Sequence, residues 1–129
     1  MNSKSKIALA VVVSAALGGA TVHGLHAQAK PKAYSITETE GLDAAVQKVY
    51  TPKVQAAQKA APGNARNFQT AGGRVVALEG TAPKRVAITE WDSLEQAQAF
   101  YTSKAFKDLE PERNKAVKTI RRYIVEATK

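Results

Sequence analysis

In the last third of the chain, Tyr101, Ser103 and Arg113 have the residue types of a polar pocket. Arginine holds a carboxylate or other anion with a planar two-pronged fork, and Tyr and Ser hydroxyls donate hydrogen bonds beside it. Glu90 precedes them in the stretch Arg85 to Trp91, where it alternates with Val86 and Ile88. Pointing inward with those neighbours, its carboxylate would be desolvated, its pKa raised, and it would serve as a base. A base at Glu90 or Tyr101 and an anion holder at Arg113 are the working parts of a proton-abstraction site. Tyr50 and Trp91 have the flat rings to line such a pocket, with Ser103 as a polar contact. Each residue also has a plainer reading. Ser103 caps a helix turn, Tyr101 packs half-buried, and Arg113 pairs with Glu110 or a backbone carbonyl. Glu90 is then a wet rim carboxylate paired with Arg85 or Lys84, and Tyr50 and Trp91 belong to the core or a subunit interface. Residue type favours the plainer set, because caps and ion pairs are commoner than sites.

Little other chemistry is open to the chain. It has 129 residues, a net charge of +8 and no cysteine. Residues 1–29 read as a secretory signal peptide: Lys4 and Lys6, then an apolar run from Ile7 to Val22, then Ala27-Gln28-Ala29 for cleavage. The run is 16 residues long, short of the roughly 20 that span a bilayer. Cleavage after Ala29 leaves residues 30–129 as one domain with no membrane span, periplasmic or secreted. Both histidines, His23 and His26, leave with the leader, as does Met1. The remaining 100 residues carry 17 basic and 11 acidic side chains, a net +6, without Cys, His or Met. A Ser-His-Asp triad and Cys/His zinc sites are excluded, and of the usual haem ligands only Tyr remains. No metal and no cofactor are expected. The basic excess is spread thinly, with Lys84-Arg85 and Lys118 to Arg122 its tightest groups. Export argues against a nucleic acid as partner. A small anionic ligand or simple solubility accounts for the charge.

Periodicity supplies the elements. Ala33 to Thr39 alternates as a strand, and Gly41 ends it. Leu42, Ala45, Val46, Val49, Tyr50, Val54, Ala57 and Ala61 form one helical stripe, with Pro52 expected to bend or divide the helix near Thr51. Arg66 to Ala71 is a second strand, and Arg74 to Glu79 is β-prone and could continue it beyond Gly72-Gly73. Arg85 to Trp91 is the clearest strand. Ser93 and Gln96 have capping-box spacing at the head of a helix bearing Leu94, Ala97, Phe100 and Tyr101. Ser103 starts another turn with Phe106 and Leu109. Pro111 opens a last helix burying Ala116, Val117 and Ile120, and Arg122 to Ala127 closes the chain as a strand. The order β-α-β-β-α-β is the ferredoxin-like α+β arrangement, an antiparallel sheet with helices on one face. The other face needs a cover. Ile, Leu, Val and Phe make only 19 of the last 100 residues, so a private core is thin, and a second copy of the chain is the natural cover. A homodimer is expected.

The stretch Ala87 to Arg113 resembles an uncharacterised bacterial family, domain of unknown function thirteen-thirty. Glu90-Trp91, Ser93-Leu94-Glu95-Gln96-Ala97, Phe100-Tyr101-Thr102-Ser103, Phe106 and Arg113 carry the resemblance, and Leu78-Glu79-Gly80 matches a family turn. The likeness extends over Ala33 to Ala127. It implies a dimeric α+β barrel, a superfamily that includes cofactor-independent monooxygenases, lactone isomerases and haem-dependent peroxidases. One motif departs: family members open the second strand with Gly-Gly-Arg, where this chain has Ala65-Arg66-Asn67. If that motif shapes a ligand site, the site is altered or lost here. Three functions follow as expectations: an exported binding protein for a small anionic or aromatic ligand, a cofactor-independent enzyme of monooxygenase or isomerase type, and a non-catalytic structural envelope protein.

Overall fold

A computed structural model describes residues 29–128. The expected leader, apart from Ala29, lies outside the described residues. The elements are β1 (Ala33–Gly41), α1 (Ala44–Ala60), β2 (Arg66–Asn67), β3 (Arg85–Trp91), α2 (Leu94–Thr102), α3 (Lys104–Lys107), α4 (Glu110–Ala116) and β4 (Val117–Glu126). The four strands form one antiparallel sheet in the order β2-β3-β1-β4. This is the ferredoxin-like α+β order that the element pattern predicts.

Local signals explain most boundaries. The Asp43 side chain accepts from the backbone N–H groups of Ala45 and Val46 at 2.8 and 3.0 Å and starts α1. Pro52 neither divides nor ends α1. It stands on the exposed side with Lys48, so water can satisfy the carbonyl whose helical partner the proline removes. At the head of α2, Ser93 Oγ accepts from Gln96 N–H and donates to Gln96 Oε1, both at 3.3 Å: the first half of the expected capping box forms, and the Gln96 side chain returns to the Ser93 hydroxyl and not to its backbone N–H. Ser103 Oγ accepts from Phe106 N–H at 3.2 Å and starts α3. Pro111 lies in the first turn of α4.

Three expectations change. The stripe on α1 is narrower than its spacing implies: Tyr50 is buried, but Leu42 and Val49 remain 57% and 51% exposed. The second strand shrinks to Arg66–Asn67, and Arg74 to Glu79 is loop, with Leu78 96% exposed. Its β propensity has nothing to pair with, since β2 is an edge strand and β3 begins only at Arg85. The last helix ends at Ala116, and Val117 to Ile120 join β4, pairing with β1 as far as Gly41. The β-branched run there wins over the helical stripe.

Partners directly opposite each other across the strands share a face of the sheet. The inner face, under the helices, carries Ala33, Ser35 and Thr37 of β1, Ala87, Thr89 and Trp91 of β3, and Arg122 and Ile124 of β4. The outer face carries Tyr34, Ile36, Val86, Ile88, Tyr123 and Val125 together with Glu38, Glu90 and Arg121. Most of the sheet's large apolar side chains thus lie on the uncovered face. The core gathers at one end of the inner face, where Ala33, Trp91, Ala97, Phe100 and Phe106 are buried together. Towards the other end the inner face turns polar.

Candidate functional site

Beyond the aromatic core, the inner face and α1 do not close on each other. Between them lies a cavity of about 390 Å³. Tyr50, Val54 and Gln58 of α1 form one wall, and Thr37, Ala87, Thr89 and Arg122 form the sheet wall. Phe68 and Gln69 of the loop after β2 close a side, and Tyr101 and Phe106 close the core end. The sequence makes this space directly. Ser, Thr and Ala occupy sheet positions where Val, Ile or Leu would fill a core, and polar groups on facing elements then bond to one another.

Those polar groups are well ordered. Gln58 Nε2 donates to Thr89 Oγ1 at 3.4 Å, Thr89 Oγ1 donates to Asn67 Oδ1 at 2.6 Å, and Asn67 Nδ2 donates to Gln58 Oε1 at 2.9 Å. Three side chains from α1, β3 and β2 thus close a ring, and each amide keeps a second N–H to offer. At the opposite end Ser35 Oγ is a shared acceptor, for Trp91 Nε1 at 3.0 Å and the Tyr101 hydroxyl at 2.9 Å. Arg85 borders the cavity as well, tied to the Ala71 carbonyl at 2.8 Å and to the Gln47 side chain.

Arg122 is the most unusual member. Its guanidinium carbon stands 5.1 Å from the Tyr101 ring centre and 5.0 Å from that of Phe106. Its Nε donates to Thr37 Oγ1 at 3.1 Å. Burial pulls its pKa down, but a guanidinium remains charged under any ordinary condition. It faces inward opposite Thr37, sharing that face with Ile124. Just before it the register shifts between Glu38–Arg121 and Thr39–Thr119, leaving Ile120 without a partner. Unbroken alternation back from Arg122 would put Ile120 on the inner face opposite Thr39. The bulge carries it outward, as bulges commonly re-aim side chains.

The expected site residues scatter. Tyr50 and Tyr101 both line the cavity. Burial pushes the Tyr50 phenol up, opposed by the nearby charges of Arg113 and Arg122, so Tyr50 stays protonated at neutral pH. Arg113 is nearly buried, stacks on Phe106 at 4.9 Å and pairs with Glu110 at 3.6 Å. It does not line the cavity. With Arg122 it lines a second, shallower cleft. Ser103 spends its hydroxyl on capping, donating to the Phe100 carbonyl at 2.6 Å. Trp91 is wholly buried and belongs to the core, outside the cavity wall. Glu90 lies on the outer face, opposite Tyr34 and Arg66, with Lys32 and Arg66 each at 3.8 Å. Its partners are therefore not Lys84 or Arg85, and it faces away from both tyrosines. Among the described residues no group of His, Asp and Glu side chains is arranged to hold a metal ion.

Sequence reasoning missed Arg122, Gln58, Asn67 and Thr89. Only Arg122 left a usable trace, since it alternates with Ile124 in the last strand. Asn67 falls in the stretch that departs from Gly-Gly-Arg, so that departure reaches the cavity wall.

A family model described as Domain of unknown function (DUF1330) matches residues 32–128. No curated protein matches the chain. Two solved structures share its fold. A protein of unknown function from Rhodopseudomonas palustris aligns with a TM-score of 0.61 at 12% identity, covering 78% of this chain and 85% of that one. SnoaB, a cofactor-independent oxygenase from Streptomyces nogalater, aligns with a TM-score of 0.56 at 11% identity, covering 77% of this chain and 95% of that one. At such identity the likeness is one of fold.

Proposed function

This chain belongs to the family Domain of unknown function (DUF1330), and on that premise we propose that it binds a small organic molecule between α1 and the inner face of the sheet. One observation carries the reading: a cavity of about 390 Å³ walled by ordered polar and aromatic side chains. Protein interiors are close-packed, and ligand sites of roughly 300–1,000 Å³ with a few convergent polar groups are the usual exception. A catalytic reading has less support. Among the described residues the cavity wall holds no Asp, Glu, His or Lys, and of its two tyrosines Tyr50 is held protonated. An enzyme that abstracts a proton needs a base there. Glu90, the sequence's candidate, is on the opposite face.

Two further parts of the proposal rest on other features. A second copy of the chain covers the outer face, whose Tyr123 and Val125 are 43% and 47% exposed. Export to the periplasm or the medium rests on the leader pattern of residues 1–29. Among the described residues no helix is long and apolar enough to cross a membrane.

Ala87→Phe tests the binding reading, because it fills the cavity from the sheet without touching the hydrogen-bonded ring. In a thermal-shift screen of small organic compounds, a binder at a hundredfold its Kd adds about 2.7 kcal/mol, or about 10 °C or more for a domain this size. The wild type gives such shifts and Ala87→Phe gives none while melting no lower. Equal shifts in both proteins would place binding elsewhere and end the proposal.

A further inference from the structure

We propose that the ligand of this cavity is an aromatic carboxylate whose acid group is held by Arg122. The inference rests on the binding reading above and specifies its chemistry. Four observations carry it.

Arg122 is a partly buried cation that enters no ion pair among the described residues. Buried charges are ordinarily paired, because an uncompensated one is strongly destabilising. Two aromatic rings and one hydroxyl offset part of that cost. They satisfy only Nε, so the two terminal nitrogens remain for a planar acceptor.

The surroundings strengthen the positive field. Arg122 also lines the second cleft, of about 400 Å³, with Arg113 and Lys118, and neither cleft has a carboxylate in its wall. The charged side chains lining the two clefts are therefore cations, although Glu110 pairs with Arg113 behind the second.

The bulge at Ile120 is the third observation. It leaves Ile120 unpaired and 48% exposed, where unbroken alternation from Arg122 would place it on the inner face opposite Thr39. Stability alone would favour burying that isoleucine, and its displacement leaves the space beside Arg122 open for a ligand.

The fourth is the remainder of the wall. Tyr101 and Phe106 offer flat apolar faces against the guanidinium, and the Tyr50 side chain lines the same cavity. The Gln58–Asn67–Thr89 ring lies on the same cavity with spare amide N–H groups. A fork for an anion, rings for stacking and donors for a polar substituent together describe an aryl acid.

The test uses 2-naphthoate, its uncharged partner 2-naphthamide and inorganic phosphate, with binding followed by calorimetry and melting. The acid binds at least about ten-fold more tightly than the amide, and phosphate alone produces no shift. Arg122→Gln loses that ten-fold preference for the acid and retains the amide's affinity. Its ligand-free melting temperature equals or exceeds that of the wild type, because an unpaired cation has been removed; a merely structural arginine would lower it. Equal binding of acid and amide would overturn the carboxylate inference and leave the binding reading standing. Phosphate acting as well as 2-naphthoate would overturn the aromatic part. If neither naphthyl compound binds at millimolar concentration, the inference fails, and the compound screen with Ala87→Phe separately decides whether the cavity binds anything.

Discussion

Trp91→Ala will remove a large share of the domain's stability, a loss of about 3–5 kcal/mol. Trp91 is completely buried, its ring centre 5.1 Å from Phe100 and 6.2 Å from Tyr101. Phe100, Tyr101 and Phe106 then stack on one another at 5.0–5.2 Å, so the indole supports a four-ring cluster. Removing it opens a large void and strips Ser35 Oγ of its indole donor. Domains of this size hold about 5–15 kcal/mol in all, and this one buries few other large apolar side chains. Trp91→Phe keeps a ring but loses the hydrogen bond, and costs about 1–2 kcal/mol. Urea unfolding followed by far-ultraviolet circular dichroism measures both, since the only tryptophan is the one removed. A midpoint for Trp91→Ala near that of the wild type would show that the core lies elsewhere.

The second large effect is on assembly. Ile36→Glu will convert the proposed dimer into a folded monomer. Ile36 sits on β1, the inner strand flanked by β3 and β4, opposite Ile88 on one side and Tyr123 on the other. A second copy meeting this face about a two-fold axis buries the position twice, so each substitution counts twice. Burying an unpaired carboxylate costs several kcal/mol per copy; even about 2 kcal/mol each raises the dissociation constant by about a thousandfold. The monomer stays folded because Ile36 does not contact the helices' side of the sheet. Sedimentation velocity at micromolar concentration should give twice the chain mass for the wild type and the single mass for Ile36→Glu, with unchanged circular dichroism. A wild-type monomer at high micromolar concentration would remove the dimer from the account.

The fold was more legible than the site, for physical reasons. Alternation in Arg85–Trp91, the Ser93–Gln96 box and the Ser103 cap are local signals, read within a few residues of where they act. They suffice for the ferredoxin-like order. The ends of the second and last strands were harder, because pairing decides them: Arg74–Glu79 has strand-forming residues without a partner strand, and Val117–Ile120 has a partner in β1 that overrides the helical stripe. The site depended on still longer-range facts. Tyr50 and Tyr101 were within reach as aromatics near an apolar stripe. Glu90 was assigned inward because its neighbours Val86 and Ile88 are apolar. In this sheet the apolar face is the one the helices leave open, so the same alternation carries Glu90 away from the cavity. Arg122 was placed on the inner face by its alternation with Ile124, but nothing in that alternation marks the space in front of it as unfilled. Gln58, Asn67 and Thr89 come from three different elements, and only the tertiary fold brings them into one ring.

The central claim is that the space beneath α1 is a ligand site and not a packing fault. Native mass spectrometry of the chain purified from its own cells under non-denaturing conditions tests this most directly. The account predicts an added mass of a small organic acid on the wild type, absent from Ala87→Phe and from Arg122→Gln. A wild type at its bare mass, or an adduct that both variants retain, would contradict it.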